Sequence, residues 1–239
     1  MNDCSDTNMD STIESTETTS TNSGEQTENN FEIHPRRPSV LSEADLPEYI
    51  TYSCIKSKDS MFSGGYKHYQ LSFDDKQLYH ARVKSSAQID PIPISAASQI
   101  NQNNVPQYVL LTNNTHEAFS LREKEPTGNE LLIVSMYQIV SVDEPKTVRV
   151  VYKNQYKEGS TCLVSRKPTQ LDDGTWILDF SDRYTIPSKK NAILVDEQND
   201  SEVIVTRKVE ENEIEIDAIA SVPPLYVFAT SLAFWLAEI

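Results

Sequence analysis

The stretch Pro223–Ile239, PPLYVFATSLAFWLAEI, constrains the fold more than any other part of this chain. Two prolines open it, and proline is tolerated in a first helical turn. Leu225, Val227, Phe228, Ala229, Leu232, Ala233, Phe234, Trp235 and Leu236 then cover almost every side of the helix they predict. A helix that is apolar all round has to be buried all round. It is too short to cross a membrane, which takes about 20 apolar residues. A helix lying on a sandwich would show a polar stripe, and only Tyr226, Thr230 and Ser231 offer one.

The remainder reads as short strands joined by turns. Strand-like runs recur at Tyr49–Ile55, Tyr66–Phe73, Gln77–Val83, Gln107–Leu111, Ala118–Leu121 and Leu131–Gln138. They continue at Thr147–Tyr152, Thr161–Ser165, Trp176–Phe180, Ala192–Val195, Val203–Val209 and Glu213–Asp217. Asp74-Asp75, Asn113-Asn114, Gly128-Asn129, Asp172-Asp173-Gly174 and Asn199-Asp200 supply turn chemistry between them. Glu213-Ile214-Glu215-Ile216-Asp217 alternates with period two, one face wet and one dry. About a dozen such strands close into a barrel wider than their own side chains can fill. The expected fold is therefore mainly β, a closed antiparallel barrel of about twelve strands filled by the buried C-terminal helix.

Residues 1–43 are rich in Ser, Thr, Asn and Glu and poor in apolar side chains, the composition of a disordered tail. The folded domain is expected over 44–239. Of the chain's net charge of −15, the first 48 residues carry −9, with Arg36 and Arg37 their only bases. The acidity thus belongs mostly to the tail, and bulk charge disfavours specific nucleic-acid binding. Arg36-Arg37-Pro38-Ser39 has the form of a basophilic kinase site. Cys4, Cys54 and Cys162 form neither a disulfide framework nor a zinc motif. No signal peptide is visible, which predicts a reducing, cytoplasmic setting.

No HExxH, GxSxG, P-loop or CxxC motif occurs, and no nucleophile, base and orienting group can be assembled, so a non-enzymatic protein without cofactor or metal is expected. The chemistry-bearing residues are cations. Arg82 and Lys84 are two apart on a strand and point the same way, leaving Ala81 and Val83 to face the core. Lys56 and Lys58 alternate likewise, near Lys67, the apolar pair Met61-Phe62 and the flexible Ser63-Gly64-Gly65. An Arg fork beside a Lys ammonium suits clustered phosphates. Lys189-Lys190 and Arg207-Lys208 read as scattered surface charge, with Lys190 a candidate structural residue, and Arg183 as part of a buried hydrogen-bond network.

The chain also resembles a known family, the Tubby-like proteins. Asp179-Phe180-Ser181-Asp182-Arg183-Tyr184-Thr185, followed by Ser188-Lys189-Lys190-Asn191, is similar to the family's L-N-F-x-G-R-V-T-x-x-S-x-K-N-F-Q segment. Val227-Phe228-Ala229 and Leu232 resemble its Q-A-F-A-I-x-L-S-S-F helix, and Asp217 matches its M-D-Y segment. Cys54, Asp59, Met61, Gly64, Tyr66, Tyr69 and Leu71 follow its opening strands. Departures include Leu111, standing where the family has arginine, and Thr206-Arg207-Lys208 in place of F-G-R.

The resemblance implies a twelve-stranded barrel around a helix and binding of phosphoinositides, chiefly phosphatidylinositol 4,5-bisphosphate. Its lipid strand corresponds to Leu78–Lys84, which makes Arg82 and Lys84, with Lys56 and Lys58, the expected phosphoinositide-binding residues. The partners it implies are a lipid head group on a membrane surface and a protein cargo, for a monomeric adaptor peripheral to the plasma or ciliary membrane; some family members are proposed to enter the nucleus. Two other readings are a protein-binding scaffold that has lost the lipid site and a scramblase-like barrel.

Overall fold

Twelve strands close into one antiparallel barrel in the computed structural model, which describes residues 48–58, 65–84, 90–96, 106–137, 144–154 and 158–237. The expected disordered tail, the kinase-type motif and Met61-Phe62 with Ser63-Gly64 lie outside the described residues. In chain order the strands are β1 (Tyr49–Lys58), β2 (Tyr66–Phe73), β3 (Lys76–Lys84), β4 (Ile92–Ser95), β5 (Tyr108–Thr112), β6 (Ala118–Glu123) and β7 (Glu130–Tyr137). They continue with β8 (Thr147–Lys153), β9 (Ser160–Ser165), β10 (Thr169–Gln170), β11 (Trp176–Ile177), β12 (Ala192–Asp196), β13 (Glu202–Glu210) and β14 (Glu213–Ile219). The single helix among the described residues, α1, spans Pro224–Leu236.

Around the barrel the order is β1-β14-β13-β12-β9-β8-β7-β6-β5-β4-β3-β2, and β1 then pairs with β2 to close the ring. Most neighbours are consecutive in sequence, as short hairpin links require. The β2–β3 link is a two-residue turn in which Asp74 and Asp75 both have positive φ, 48° and 59°. That is the backbone of a type I′ hairpin, and Asp tolerates it better than most side chains.

The expected number of barrel strands is right, but one member is not. Trp176–Phe180 is no wall strand. Trp176–Ile177 forms the short β11, paired only with β10 as a two-stranded ribbon separate from the barrel sheet. The twelfth wall strand is β4, in the proline-flanked run Pro91-Ile92-Pro93-Ile94, which turn chemistry alone would place in a loop. β4 joins β3 through two residue pairs and β5 through three, so it is the shortest seam of the wall.

The helix occupies the lumen. Eleven of its thirteen residues, Leu225 to Trp235, are buried. Its aromatic partners come from two parts of the wall: Tyr69 of β2 against Trp235 and Tyr79 of the adjacent β3 stacked on Phe228, and Tyr152 of β8 against Tyr226. The inward positions that meet it alternate along each strand as a half-buried sheet requires, for example Tyr52 and Cys54, Tyr69 and Leu71, Ile214 and Ile216. Ser231, deep in the core, returns its hydroxyl proton to the Val227 carbonyl at 2.8 Å, which makes a small polar residue tolerable there.

A second, smaller cluster lies on the outside of the wall. Phe180 packs on Ile193, Val195 and Val205, whose side chains point away from the lumen. The same segment is held by charge. Asp217 accepts from Thr51 Oγ1 at 2.7 Å and lies 3.3 Å from Arg183 Nη1 and 3.2 Å from Arg207 Nη2. Arg207 also meets Glu215 at 2.8 Å and donates to the Tyr184 carbonyl at 2.9 Å. Arg183 is thus part of the expected network. Arg207, expected as scattered surface charge, is instead buried at 6% exposure, because Asp217, Glu215 and a carbonyl together replace its water.

Two stability outcomes follow. Phe228→Ala removes a fully buried ring from the lumen and should cost about 3–5 kcal/mol in urea unfolding. Asp217→Ala strips the buried Arg207 and the half-buried Arg183 of a shared counter-charge and should cost about 3 kcal/mol or more by the same measurement, whereas a surface acid such as Asp172 should be nearly silent.

Candidate functional site: a lysine ring at one mouth of the barrel

The pairing register brings the cations to one end. Lys58 faces Lys67 across β1–β2, Lys67 faces Val83, and Tyr66 faces Lys84 across β2–β3. The β13–β14 hairpin turns at the same end, since Lys56 N donates to the Asn212 carbonyl at 2.8 Å. By alternation from the buried Tyr52 and Cys54, Lys56 and Lys58 are inward positions of β1. Lys67 continues the inward series of Tyr69 and Leu71 on β2. Lys208 continues that of Ile204 and Thr206 on β13.

The floor of this mouth is Trp235, in the last turn of α1. Three ammonium groups converge on its indole ring: Lys56 Nζ at 4.5 Å, Lys190 Nζ at 5.5 Å and Lys208 Nζ at 6.0 Å from the centroid. These distances allow cation–π attraction of about 0.5–2 kcal/mol each, but a ring does not cancel charge. Lys190 also donates to the Phe234 carbonyl at 2.7 Å, one of the helix-end acceptors with no partner inside the helix. It therefore has the structural role foreseen for it, while Lys208 is no scattered surface charge. The side-chain alternation of β13 and the position of the helix end put Lys208 in the cluster.

The electrostatics record the crowding. Burial lowers the Lys190 pKa from 10.5 to about 8, helped by the positive charges of Lys56 and Lys208. Lys56 is lowered by burial and then by Lys208, Lys58 and Lys67, with Glu211 acting in the opposite direction. Lys56, Lys58, Lys67 and Lys208 make no ion pair among the described residues. A set of like charges offset only in part, by Glu211, can receive an anion.

Arg82 and Lys84 sit differently. They share a face, as expected, and Ala81 is fully buried with Val83 packed on the core behind them. That face is the outside of the wall, whereas Lys56 and Lys58 belong to the inside of the mouth. The four expected residues thus reach one barrel end from two sides of the β1–β2–β3 wall. The Arg82 guanidinium stacks on Tyr66, 3.6 Å from the ring centroid, and its Nε is buried with no hydrogen-bond partner. Beside it, His68 and His80 stack with Nδ1 and Nε2 3.1 Å apart. Burial, then His68 and Arg82, lowers the His80 pKa, so His80 favours its neutral imidazole.

Lys190 and Lys208 were the members that sequence reasoning left out of the site. A pointer existed in the inward parity of Lys208 with Thr206 and Ile204, but the position of Lys190 in the turn before β12 carries no periodic signal. Among the described residues no group of three or more His, Cys, Asp or Glu could hold a metal ion. Cys54 is buried, which pushes its thiol up to about 12 and makes it a small core hydrophobe. No protein-family model matches the chain, and no curated protein matches it.

The site generates a pH prediction. Lys190 releases its proton near 8 when folded and near 10.5 when unfolded. Below about 8 it is charged in both states and the full penalty of burying that charge is present. Between the two values the unfolded chain binds more protons, so stability rises with pH. Wild-type unfolding free energy should therefore gain on that of Lys190→Met as pH rises from about 7.5 to about 9.5. Urea titrations of both proteins measure this, and parallel curves would contradict the assigned shift.

Proposed function

We propose that this protein is a phosphoinositide-binding adaptor, peripheral to a membrane, built on a Tubby-like barrel. The observation that carries the reading is the ring of Lys56, Lys190 and Lys208 over Trp235, extended by Lys58 and Lys67 at the rim. An inositol bisphosphate carries several acceptor oxygens and multiple negative charges, and it would offset the mutual repulsion that, after burial, lowers Lys56 and Lys190. Arg82 and Lys84, on the outer side of the same barrel end, add a fork and a second ammonium for the membrane's anionic surface. The ligand is the head group of phosphatidylinositol 4,5-bisphosphate. The cargo-carrying and ciliary parts of the reading rest on the family resemblance.

Two observations weigh against the other readings. A scramblase-like barrel would need a helix that meets lipid, and α1 has no open side. No helix among the described residues is long and apolar enough to cross a membrane. A scaffold that had lost its lipid site would have no reason to gather three lysines over one indole.

The test is cosedimentation of the full chain with liposomes containing the bisphosphorylated lipid. Lys56→Ala with Lys208→Ala should weaken recruitment about tenfold or more, since each basic residue near an anionic surface contributes about 1 kcal/mol. Arg82→Ala with Lys84→Ala should weaken it to a similar extent, and raised salt should weaken the wild type. Equal, salt-independent binding by all three proteins would reject the reading.

A further inference from the structure

A cavity of about 760 Å3 opens on the flank of the barrel, in a place that the lysine ring does not use. Its origin is a gap in the wall. β9 stops at Ser165, where Ser165 still faces Leu194 of β12 and its Oγ accepts from Val148 N of β8 at 2.9 Å. Past that point the chain leaves the wall, with Arg166 N donating to the Ile193 carbonyl at 2.8 Å, and goes out to form β10 and β11. β8 and β12 are left without a strand between Lys146 and Ala192. The window is floored by Phe234 of α1, bordered by Met136, Val148 and Ala192, and roofed by Trp176 and Leu178.

The size lies within the range of about 300–1,000 Å3 that small-molecule sites occupy. The walls are mostly apolar, but the charged lining is lopsided: Lys146, Arg166 and Lys189 against Glu144. Lys146 is paired with Glu117 at 3.0 Å and Arg166 with Glu202 at 2.7 Å. Lys189 is exposed at the rim and makes no ion pair among the described residues. A deep apolar slot with one unspent cation at its edge matches a single aliphatic chain that ends in an anionic group.

We infer that this cavity is a binding site for a free long-chain fatty acid, its chain lying against Phe234 and Trp176 and its carboxylate meeting Lys189. The inference is independent of the phosphoinositide reading, because the residues that carry it do not include Lys56, Lys208, Arg82 or Lys84.

The test uses cis-parinaric acid as a fluorescent fatty acid with the full chain. Trp176 lines the cavity, and Trp176 and Trp235 are the only tryptophans in the chain. Saturable energy transfer from tryptophan to the bound acid is expected, and reduced in Trp176→Phe. Palmitate should displace the probe about tenfold or more effectively than its methyl ester, the value of one charge-assisted contact. Lys189→Glu should weaken binding by a similar factor, and Ala192→Phe, which fills the window, should abolish it while circular dichroism stays unchanged. Should Ala192→Phe fail to fold, Leu178→Trp narrows the same slot from its roof. Absence of saturable transfer in the folded wild type, an ester as effective as the acid, or binding untouched by Lys189→Glu and the slot-filling variant would each overturn the inference. Lys56→Ala with Lys208→Ala should leave fatty-acid binding intact, which separates this result from the liposome assay.

Discussion

The enclosure of α1 is the interaction on which the rest of the molecule depends. A barrel of twelve strands encloses more volume than its inward side chains can fill, and an empty lumen would forfeit dispersion contacts along every strand. A helix apolar on all sides would meet the opposite problem in water. Each element therefore removes the other's liability. Burying a large apolar side chain is worth about 1.5–3 kcal/mol, and Leu225, Tyr226, Val227, Phe228, Leu232, Phe234 and Trp235 are all buried against strands from around the ring. Neither the open sheet nor the free helix would be a stable state for this sequence.

Closing the barrel around a helix also makes places that no single strand contains. The helix runs into the mouth formed by the β1–β2 and β13–β14 ends, and its final carbonyls need donors there. α1 has no basic residue in its own last turn. The donor comes from outside the helix, as Lys190 on the Phe234 carbonyl, and Lys56 and Lys208 gather on Trp235 from two other segments. Similarly, the flank cavity exists because β9 leaves the wall before its neighbours do.

How much of this was legible in the residues varies with range. The helix was legible because its signal is contained within one uninterrupted segment. Most strands were legible because alternation and turn residues such as Asp74-Asp75 are local. β4 was not, since Pro91 and Pro93 argue against a central strand, and only its neighbours β3 and β5 justify it. Trp176–Phe180 looked like a wall strand because its residues are apolar and β-prone, yet Phe180 spends that character on the outer face of β12 and β13. Arg82 and Lys84 were legible as a same-face pair by parity. That Lys56 and Lys58 lie on the opposite side of the wall from them emerges from the β1–β2 and β2–β3 registers, which parity within one strand does not contain.

The helix end and the lysine ring also constrain each other. The C-terminal end of a helix carries a partial negative charge, and cations near it are stabilised by about 0.3–1 kcal/mol at exposed sites. That field, with the face of the Trp235 ring, favours assembling Lys56, Lys190 and Lys208 without a carboxylate among them. A carboxylate would have gathered the same lysines more tightly, but it would also have consumed their charge. A dipole and a quadrupole hold cations in place and leave them able to bind an ion. The fold thus resolves the exposed helix terminus with groups whose charge is not cancelled, and this is why a structural cap and a cluster of lysines coincide at this end of the barrel.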